Sequence, residues 1–551
     1  MNRITGRSAF LSLLKDEGVT HLFGNPGTTE LPIMHALKEH PDLDYVLGLQ
    51  EAIVVAMADG FARASGRLAA CNVHVAPGLG NAMGSLYNAK FSGSPIILTA
   101  GQQEQGHGLT EPLLYDPLVP IAAPLVKWAV EVTRLEDLPR IVRRAATVAL
   151  SPPTGPVFIS LPGDILNDEG GIELGRATRV NSATRPGDDL LARLADRLLA
   201  ATRPVILCGH EMVNSDAFEA AARFAEILGA PVYQQTVPYG AHFPSEHPAF
   251  MGALSRDQQQ VRDTLASHDL LVCLGADVLR MSVWSDVEPL PDGMPIVQLG
   301  LRDWEMGKNY PTELAVRADL AETLAVLNPL LESKGGPART EAIASLAESN
   351  WSAKRERLRE AALAHVSAQP ISPDLLMLRA VEALPENAIV VDEGIVSSRA
   401  LHGFLPFRDR YGFFGLASGG IGWALPGAIG VQIAQPDRPV LAIVGDGSAM
   451  YSIQALWSAA HMKLPITYLI ANNGGYRILK ERLVAFHDND SFIGMNFRDP
   501  AIDFVALSQS LGMTARRVAD PNDISPALEE AFASGGPSLL DVVVDGGPTA
   551  A

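Results

Sequence analysis

Cysteine is scarce. Cys71, Cys208 and Cys273 are the only three in 551 residues. Their odd number, wide spacing and apolar settings speak against a disulfide framework or a zinc site and predict buried thiols in a reducing compartment. Basic residues are outnumbered, 43 Lys and Arg against 62 Asp and Glu, giving a formal net charge of -19. Nucleic acid and anionic membranes both require a positive footprint, so neither is expected as a partner, and a phosphate ligand would need a metal ion or backbone donors. No run approaches the roughly 18 apolar residues of a membrane span, and the first residues lead into an amphipathic helix without an apolar signal core, so the expected location is the cytoplasm. A Gly-x-x-x-x-Gly-Lys-Ser/Thr loop is missing, and Gly78, Gly80 and Gly84 have the wrong spacing for a dinucleotide fingerprint. No short-period repeat or low-complexity tract is seen.

What is present is globular composition, 47% hydrophobic and 19% charged, in a chain too long for one hydrophobic core. Short apolar runs alternate with helical patterns at 21–23, 45–49, 69–75, 95–100 and 156–161, the signature of a parallel α/β sheet. A polar stretch from Arg176 to Asp189 reads as a linker, after which runs at 205–208, 270–274 and 296–299 repeat the alternation. Ser333 to Arg339 begins a second connection, continued by a charged helix around Trp351 to His365. Ser372-Pro373 then opens a third unit with runs at 388–391, 440–444, 466–471 and 539–544. The fold class is therefore α/β, in three domains with parallel sheets: 1–178, 188–332 and 365–551. Their mutual similarity is expected at the level of class only.

One segment carries distinctive chemistry. The strand Val440 to Val444 runs into Gly445-Asp446-Gly447-Ser448, with a helical pattern from Ser452. The next strand ends in Asn472-Asn473-Gly474-Gly475-Tyr476. Each stretch alone would be an ordinary turn. Together they place a carboxylate and further oxygen ligands at one sheet edge, with glycines that let phosphate approach the backbone, which suits a hard cation bridging a diphosphate. Magnesium usually takes few protein ligands, so Asp446, Asn473 and the carbonyl of Gly475 are the candidate set.

From Gly445 to Asn473 the chain resembles the thiamine diphosphate motif, which opens with Gly-Asp-Gly and closes with Asn-Asn after a helix. The resemblance extends over nearly the whole chain to the pyruvate-oxidase-like family of these enzymes, and most closely to benzoylformate decarboxylases. It is carried by Phe23-Gly-Asn-Pro-Gly-Thr-Thr-Glu-Leu-Pro32, Leu49-Gln-Glu-Ala52, Asn72-Val-His-Val75, Gly80-Asn-Ala-Met-Gly84, Thr99-Ala-Gly-Gln-Gln103, Val126-Lys-Trp128, Gly420-Ile-Gly-Trp-Ala-Leu-Pro426 and Gly445-Asp-Gly-Ser-Ala449.

The resemblance implies thiamine diphosphate and Mg2+ as cofactors, three domains that bind the pyrimidine, link, and bind the diphosphate, and a homodimer or homotetramer with active sites between subunits. Glu51 is similar to the glutamate that promotes the reactive pyrimidine tautomer. Ile421 matches the apolar wedge that bends the cofactor, and Gly419 matches a backbone contact to its amino group. Gly445, Gly447, Ser448, Ser397 and Tyr476 are the remaining cofactor contacts. His74 and Thr28 align with substrate-handling groups. A second active-site histidine of benzoylformate decarboxylases, in the middle domain, is absent: Gly275-Ala-Asp-Val-Leu-Arg280 is followed by Met281-Ser282, and Ser282 cannot act as an acid near neutral pH. Arg482 stands where an apolar pocket residue is expected, and is either a surface residue or a partner for an anionic substrate. His107 is a candidate replacement proton carrier. The implied activity is 2-oxo acid decarboxylation, with carboligation to an aldehyde open to it. An acetolactate-synthase-like carboligase and a non-catalytic homologue of the same fold are the competing readings.

Overall fold

Short apolar runs bounded by glycine, proline and polar turns become the strands of three parallel six-stranded sheets, buried between helices as all-parallel sheets must be. The computed structural model describes residues 3–335 and 338–547. Strand β1 (Ile4–Thr5) pairs antiparallel with β8 (Glu169–Gly170), tying the start of the chain to the end of the first unit. Between them lie β2 (His21–Gly24), β3 (Asp44–Leu47), β4 (Ala69–Val73), β5 (Ile96–Gln102), β6 (Ala129–Glu131) and β7 (Val157–Pro162), in spatial order β3-β2-β4-β5-β7-β6. The central sheet contains β9 (Pro204–Cys208), β10 (Val232–Gln234), β11 (Phe250–Ala253), β12 (Leu270–Leu274), β13 (Ile296–Gly300) and β14 (Leu314–Arg317), in order β11-β10-β9-β12-β13-β14. The third contains β15 (Ile389–Glu393), β16 (Phe413–Gly415), β17 (Val440–Gly445), β18 (Ile466–Asn472), β19 (Thr514–Val518) and β20 (Ser538–Val543), in order β16-β15-β17-β18-β20-β19.

Counted from its own first strand, the third sheet repeats the order of the first, while the central sheet is doubly wound with its switch point between β9 and β12. The expectation of similarity in class alone is therefore corrected: the outer two sheets share one topology. Pairing order is a long-range property that no local pattern in the chain displays.

Two helices join the outer sheets. Glu51–Ser65 crosses Ala424–Ala434 with backbone against backbone: a Cβ at Gly60 would lie 2.2 Å from Gly427 O, and one at Gly430 would lie 2.0 Å from Met57 O. Around that crossing, Ile53, Val54 and Met57 share one core with Trp423, Ala428 and Ile429. Arg63 ends the contact. Buried, it donates to Gly415 O (3.0 Å) and Tyr239 O (2.6 Å) with its guanidinium over the Trp423 ring, so one side chain reaches all three units.

Residues 171–187 form neither helix nor strand. The second connection differs from expectation: the helix Leu320–Gly335 continues through Ser333, Gly336 and Pro337 lie outside the described residues, and a new helix spans Thr340–Leu346. Packing of Gly335 against Leu199 and the Lys334–Asp196 ion pair explain why helix persists into a glycine-rich stretch. Among the described residues, no helix is long and apolar enough to cross a membrane. Cys71, Cys208 and Cys273 are free and buried, as expected.

Candidate active site

Each outer sheet presents its functional groups at the C-terminal ends of its strands, where open parallel sheets place ligands. In the first, Glu51 is the first residue of its helix, N-capped by Gln50, whose side-chain oxygen accepts from Ala52 N and Ile53 N. The cap fixes where Glu51 points. Glu51 is 7% exposed, and its carboxylate accepts from Asn25 Nδ2 (3.2 Å) and Asn81 Nδ2 (3.0 Å). Gly78 packs close beside it, where a Cβ would lie 3.1 Å from Glu51 Oε1.

His74 caps the next helix, directly after β4. Its Nδ1 lies 2.7 Å from Glu30 Oε2. Glu30 is fully buried and receives Gly27 N, Gly101 N and the Thr29 hydroxyl. Sequence reasoning named Thr28 and missed this pair. Thr29, not Thr28, touches His74, at 3.1 Å, while Thr28 is exposed at the start of the same short turn. The signal was present in Gly-Thr-Thr-Glu, since a glutamate three residues past a glycine can reach back to its N–H.

In the third sheet, Asp446 is the first residue of the helix Asp446–Ser452, six residues earlier than the pattern suggested. Gly445 acts as its cap, and the periodicity was hidden because Asp446, Gly447 and Ser448 are all polar or small. The Asp446 carboxylate is buried and accepts Gly447 N (2.9 Å) and Gly475 N (3.0 Å), so β17 and β18 deliver their turns to one point. Burial pushes Asp446 up to about 6, against the pull of these amides. Lys480 is buried close to Gly475, its ammonium 3.2 Å from where a Cβ of Gly475 would stand. Asn473 donates to Ser397 Oγ at 3.5 Å, but its Oδ1 is buried without a partner. An orphaned amide oxygen beside a buried carboxylate is the donor set a hard cation would complete. Tyr476 covers Gly447, where any Cβ would lie 2.7 Å from the ring. Among the described residues no group of three or more His, Cys, Asp or Glu could hold a metal, and a set of one carboxylate, one amide and one main-chain carbonyl calls for none.

The loop between these half-sites is held by a residue the sequence reading passed over. Glu393, at the end of β15, accepts Gly422 N, Trp423 N (2.8 Å) and Ala424 N (2.7 Å) and is also reached by the Ser448 hydroxyl. One carboxylate thus couples the Ile421 loop to the Gly445–Ser448 turn. Burial pushes it up to about 7, although these donors favour its charged form. Ile421 is half-buried, and Gly419 adopts φ +83, a left-handed conformation suited to glycine. On the other side, Asn88 Oδ1 receives Ala417 N and Ser418 N, docking the loop on the helix Val75–Ser92.

Ser282 is exposed in an irregular segment, two residues beyond Arg280, whose guanidinium lies over the Phe91 ring. Arg482 is exposed on the helix that follows Tyr476. His107 is exposed in the turn Gln105–Gly108, and its side chain makes no hydrogen bond among the described residues; nothing ties it to His74. Nor, among those residues, does any hydrogen bond or ion pair join Glu51 to the segment Gly445–Tyr476.

The chain matches the thiamine pyrophosphate enzyme N-terminal TPP binding domain over residues 4–112, the central domain over 191–327 and the C-terminal TPP binding domain over 396–542. It is 35% identical to benzoylformate decarboxylase of Pseudomonas aeruginosa over 543 residues, covering 98% of each chain. Glyoxylate carboligase of Escherichia coli O157:H7 is 26% identical, with 99% of this chain and 93% of that protein covered. The solved Rhodococcus jostii RHA1 thiamine diphosphate-dependent 4-hydroxybenzoylformate decarboxylase superposes with a TM-score of 0.87 at 31% identity, covering 98% of this chain and 99% of that one.

Proposed function

Because the chain belongs to the thiamine pyrophosphate enzymes, with their three domains in order, we propose that it is a Mg2+-dependent 2-oxo acid decarboxylase. Carrying this reading is the full-length likeness to benzoylformate decarboxylase, with Glu51 and the Glu30-held His74 at one sheet edge.

When bound, thiamine diphosphate supplies the carbon nucleophile for the 2-oxo carbon and accepts the electron pair left by departing carbon dioxide. Asp446, Asn473 Oδ1 and the Gly475 carbonyl would hold Mg2+. Gly445, Gly447, Ser448 and Ser397 would border the diphosphate, with Tyr476 closing the turn. Ile421 and the Gly419 backbone would shape the cofactor's bend, their loop anchored by Glu393. Glu51 holds a proton at its carboxylate for the pyrimidine ring, and Asn25 and Asn81 keep that carboxylate aimed. His74 moves a proton at Nε2, because Nδ1 is committed to Glu30. Thr28 offers a hydroxyl to the substrate carboxylate.

Exposed apolar side chains stand on the segments that carry both half-sites: Leu31 directly after Glu30, and Met450 and Tyr451 on the helix that begins at Asp446. Such surface favours a second subunit, so we place the working site between Glu51 of one chain and Asp446 of another, in a homodimer or homotetramer. Buried free thiols accord with the cytoplasm.

Ser282 favours a second reading. Without a histidine there, slow protonation would let a second carbonyl compound capture the product carbon, as in a carboligase. A panel of 2-oxo acids with thiamine diphosphate and Mg2+, following carbon dioxide and carbonyl products together, tests both. Aldehyde alone supports decarboxylation; an acyloin or acetohydroxy acid supports carboligation; no turnover of any acid counts against both.

A further inference from the structure

The loop that carries Ile421 is clamped at both ends by buried acceptors. At its far end Glu393 accepts Gly422 N, Trp423 N and Ala424 N. At its near end Asn88 Oδ1 accepts Ala417 N, Ser418 N and Ser418 Oγ, each at 3.2 Å. Ser418 Oγ accepts Gly420 N in turn, also at 3.2 Å, so the hold of Asn88 reaches further along the loop. Between the clamps rises an arch of three residues, Gly419, Gly420 and Ile421, the first exposed and the others half-buried.

Asn88 is itself aimed from behind. It is fully buried on the helix Val75–Ser92, and its Nδ2 donates to Asp59 Oδ2 at 2.8 Å. Asp59, fully buried on the helix that begins at Glu51, has its other oxygen filled by the hydroxyls of Ser92 and Ser94. An ionised carboxylate only accepts, so Asp59 turns the Asn88 nitrogen toward itself and the oxygen toward the loop. A rotated amide would set donor against donor at Ala417 and Ser418, with all of these groups shut away from water.

The helix that carries Asn88 also serves Glu51. Gly78, Asn81, Gly84 and Asn88 recur at intervals of three and four, which places them along one helix face. Gly78 packs on Glu51 and Asn81 donates to it, while Gly84 O lies 3.5 Å from where a Cβ of Gly420 would stand. One face thus sets a group for each half-site.

We propose that Asn88 is a positioning residue: oriented by Asp59, it fixes the arch so that Ile421 and the Gly419 backbone meet the cofactor in its bent form. This rests on the roles given to Gly419 and Ile421 above.

Exchanging the two partners tests it. Asn88→Asp alone sets two buried carboxylates against each other, whereas Asn88→Asp with Asp59→Asn restores a donor opposite every acceptor. In the holoenzyme Asn88→Asp should lower kcat by about tenfold or more, with KM and thiamine diphosphate affinity within about threefold of the wild type. It should also weaken the near-ultraviolet circular dichroism of the bound cofactor, which reads how its two rings are held, and the double variant should recover most of both signals. Ser418→Ala cuts only the link from Asn88 to Gly420. It should move kcat and dichroism the same way by a smaller factor at nearly unchanged Tm, which decides the matter if Asn88→Asp does not fold.

Dichroism lost and then restored by the exchange, in protein that turns over no 2-oxo acid, would overturn the decarboxylase reading and leave the role of Asn88 standing. Normal kcat and dichroism in the single variants, even at lower Tm, would make Asn88 scaffold only and overturn the proposal. So would a loss confined to cofactor affinity, or a fall in kcat that the exchange does not repair.

Discussion

His74 Nδ1 lies 2.7 Å from Glu30 Oε2, and this contact decides which imidazole nitrogen can meet a substrate. An ionised carboxylate only accepts, so Nδ1 carries the proton and Nε2 is left for proton transfer, an assignment made from the partner. Glu30 cannot turn away, because Gly27 N, Gly101 N and Thr29 Oγ1 hold both its oxygens. Gly27 is equally constrained: a Cβ there would sit 2.1 Å from His74 Nδ1.

Replacing Glu30 with Gln should therefore lower kcat by a factor on the order of 10² while leaving thiamine diphosphate affinity nearly unchanged. The amide can donate as well as accept and no longer dictates the His74 tautomer. Steady-state kinetics with a cofactor titration checks this; wild-type kcat would show that the tautomer is not controlled from Glu30.

At the other half-site the expected failure is retention, not rate. Asp446→Ala and Asn473→Ala should each weaken Mg2+-dependent thiamine diphosphate binding by about tenfold or more, and chelation of divalent metal should release cofactor from the unaltered protein. Equilibrium binding with and without Mg2+ measures it. Unchanged affinity in both variants would remove them from the ligand set.

Buried histidines should make the fold acid-sensitive. Burial holds His242 at about 3 and His402 at about 4, below the ordinary value near 6.5. The unfolded chain therefore takes up protons that the folded one refuses. The stability these neutral rings contribute is present above about 6.5 and lost as pH falls toward 4 and 3. Asp392, Glu393 and Asp446, raised to about 6, 7 and 6, act in the opposite sense over pH 7 to 4, so the isolated effect is read by difference. His242→Leu should gain on the wild type by about 1.4 kcal/mol per pH unit below 6.5. Melting curves from pH 7 to 5 test this, and parallel curves would refute it.

The glycine crossing separates stability from chemistry. A Cβ at Gly430 would meet Met57 O at 2.0 Å and Phe61 N at 2.5 Å, both main-chain atoms. Neither can move without parting the two helices. Gly430→Ala should cost about 1–3 kcal/mol and lower Tm measurably, whereas Gly430→Ala with an unchanged Tm would mean that the crossing yields easily.

Central strands were legible because they are continuous apolar runs; Leu270–Leu274 is buried throughout and was read with its observed ends. Outer strands such as β14 and β19 escaped notice because they alternate or expose polar residues, as in Thr514–Val518. Asp446 and Asn473 were readable from turns that follow strands. Glu30 and Glu393 were not, since their importance lies in main-chain donors brought from distant segments: Gly101 for one, Gly422 to Ala424 for the other.

Carbon dioxide release from 2-oxo acids by protein stripped of cofactor and then reloaded tests the account most directly. Release should require both thiamine diphosphate and Mg2+, and Glu51→Gln should bind both yet turn over on the order of 10²-fold or more slowly. Carbon dioxide evolved without either cofactor, none from any 2-oxo acid, or near-normal turnover by Glu51→Gln would contradict it.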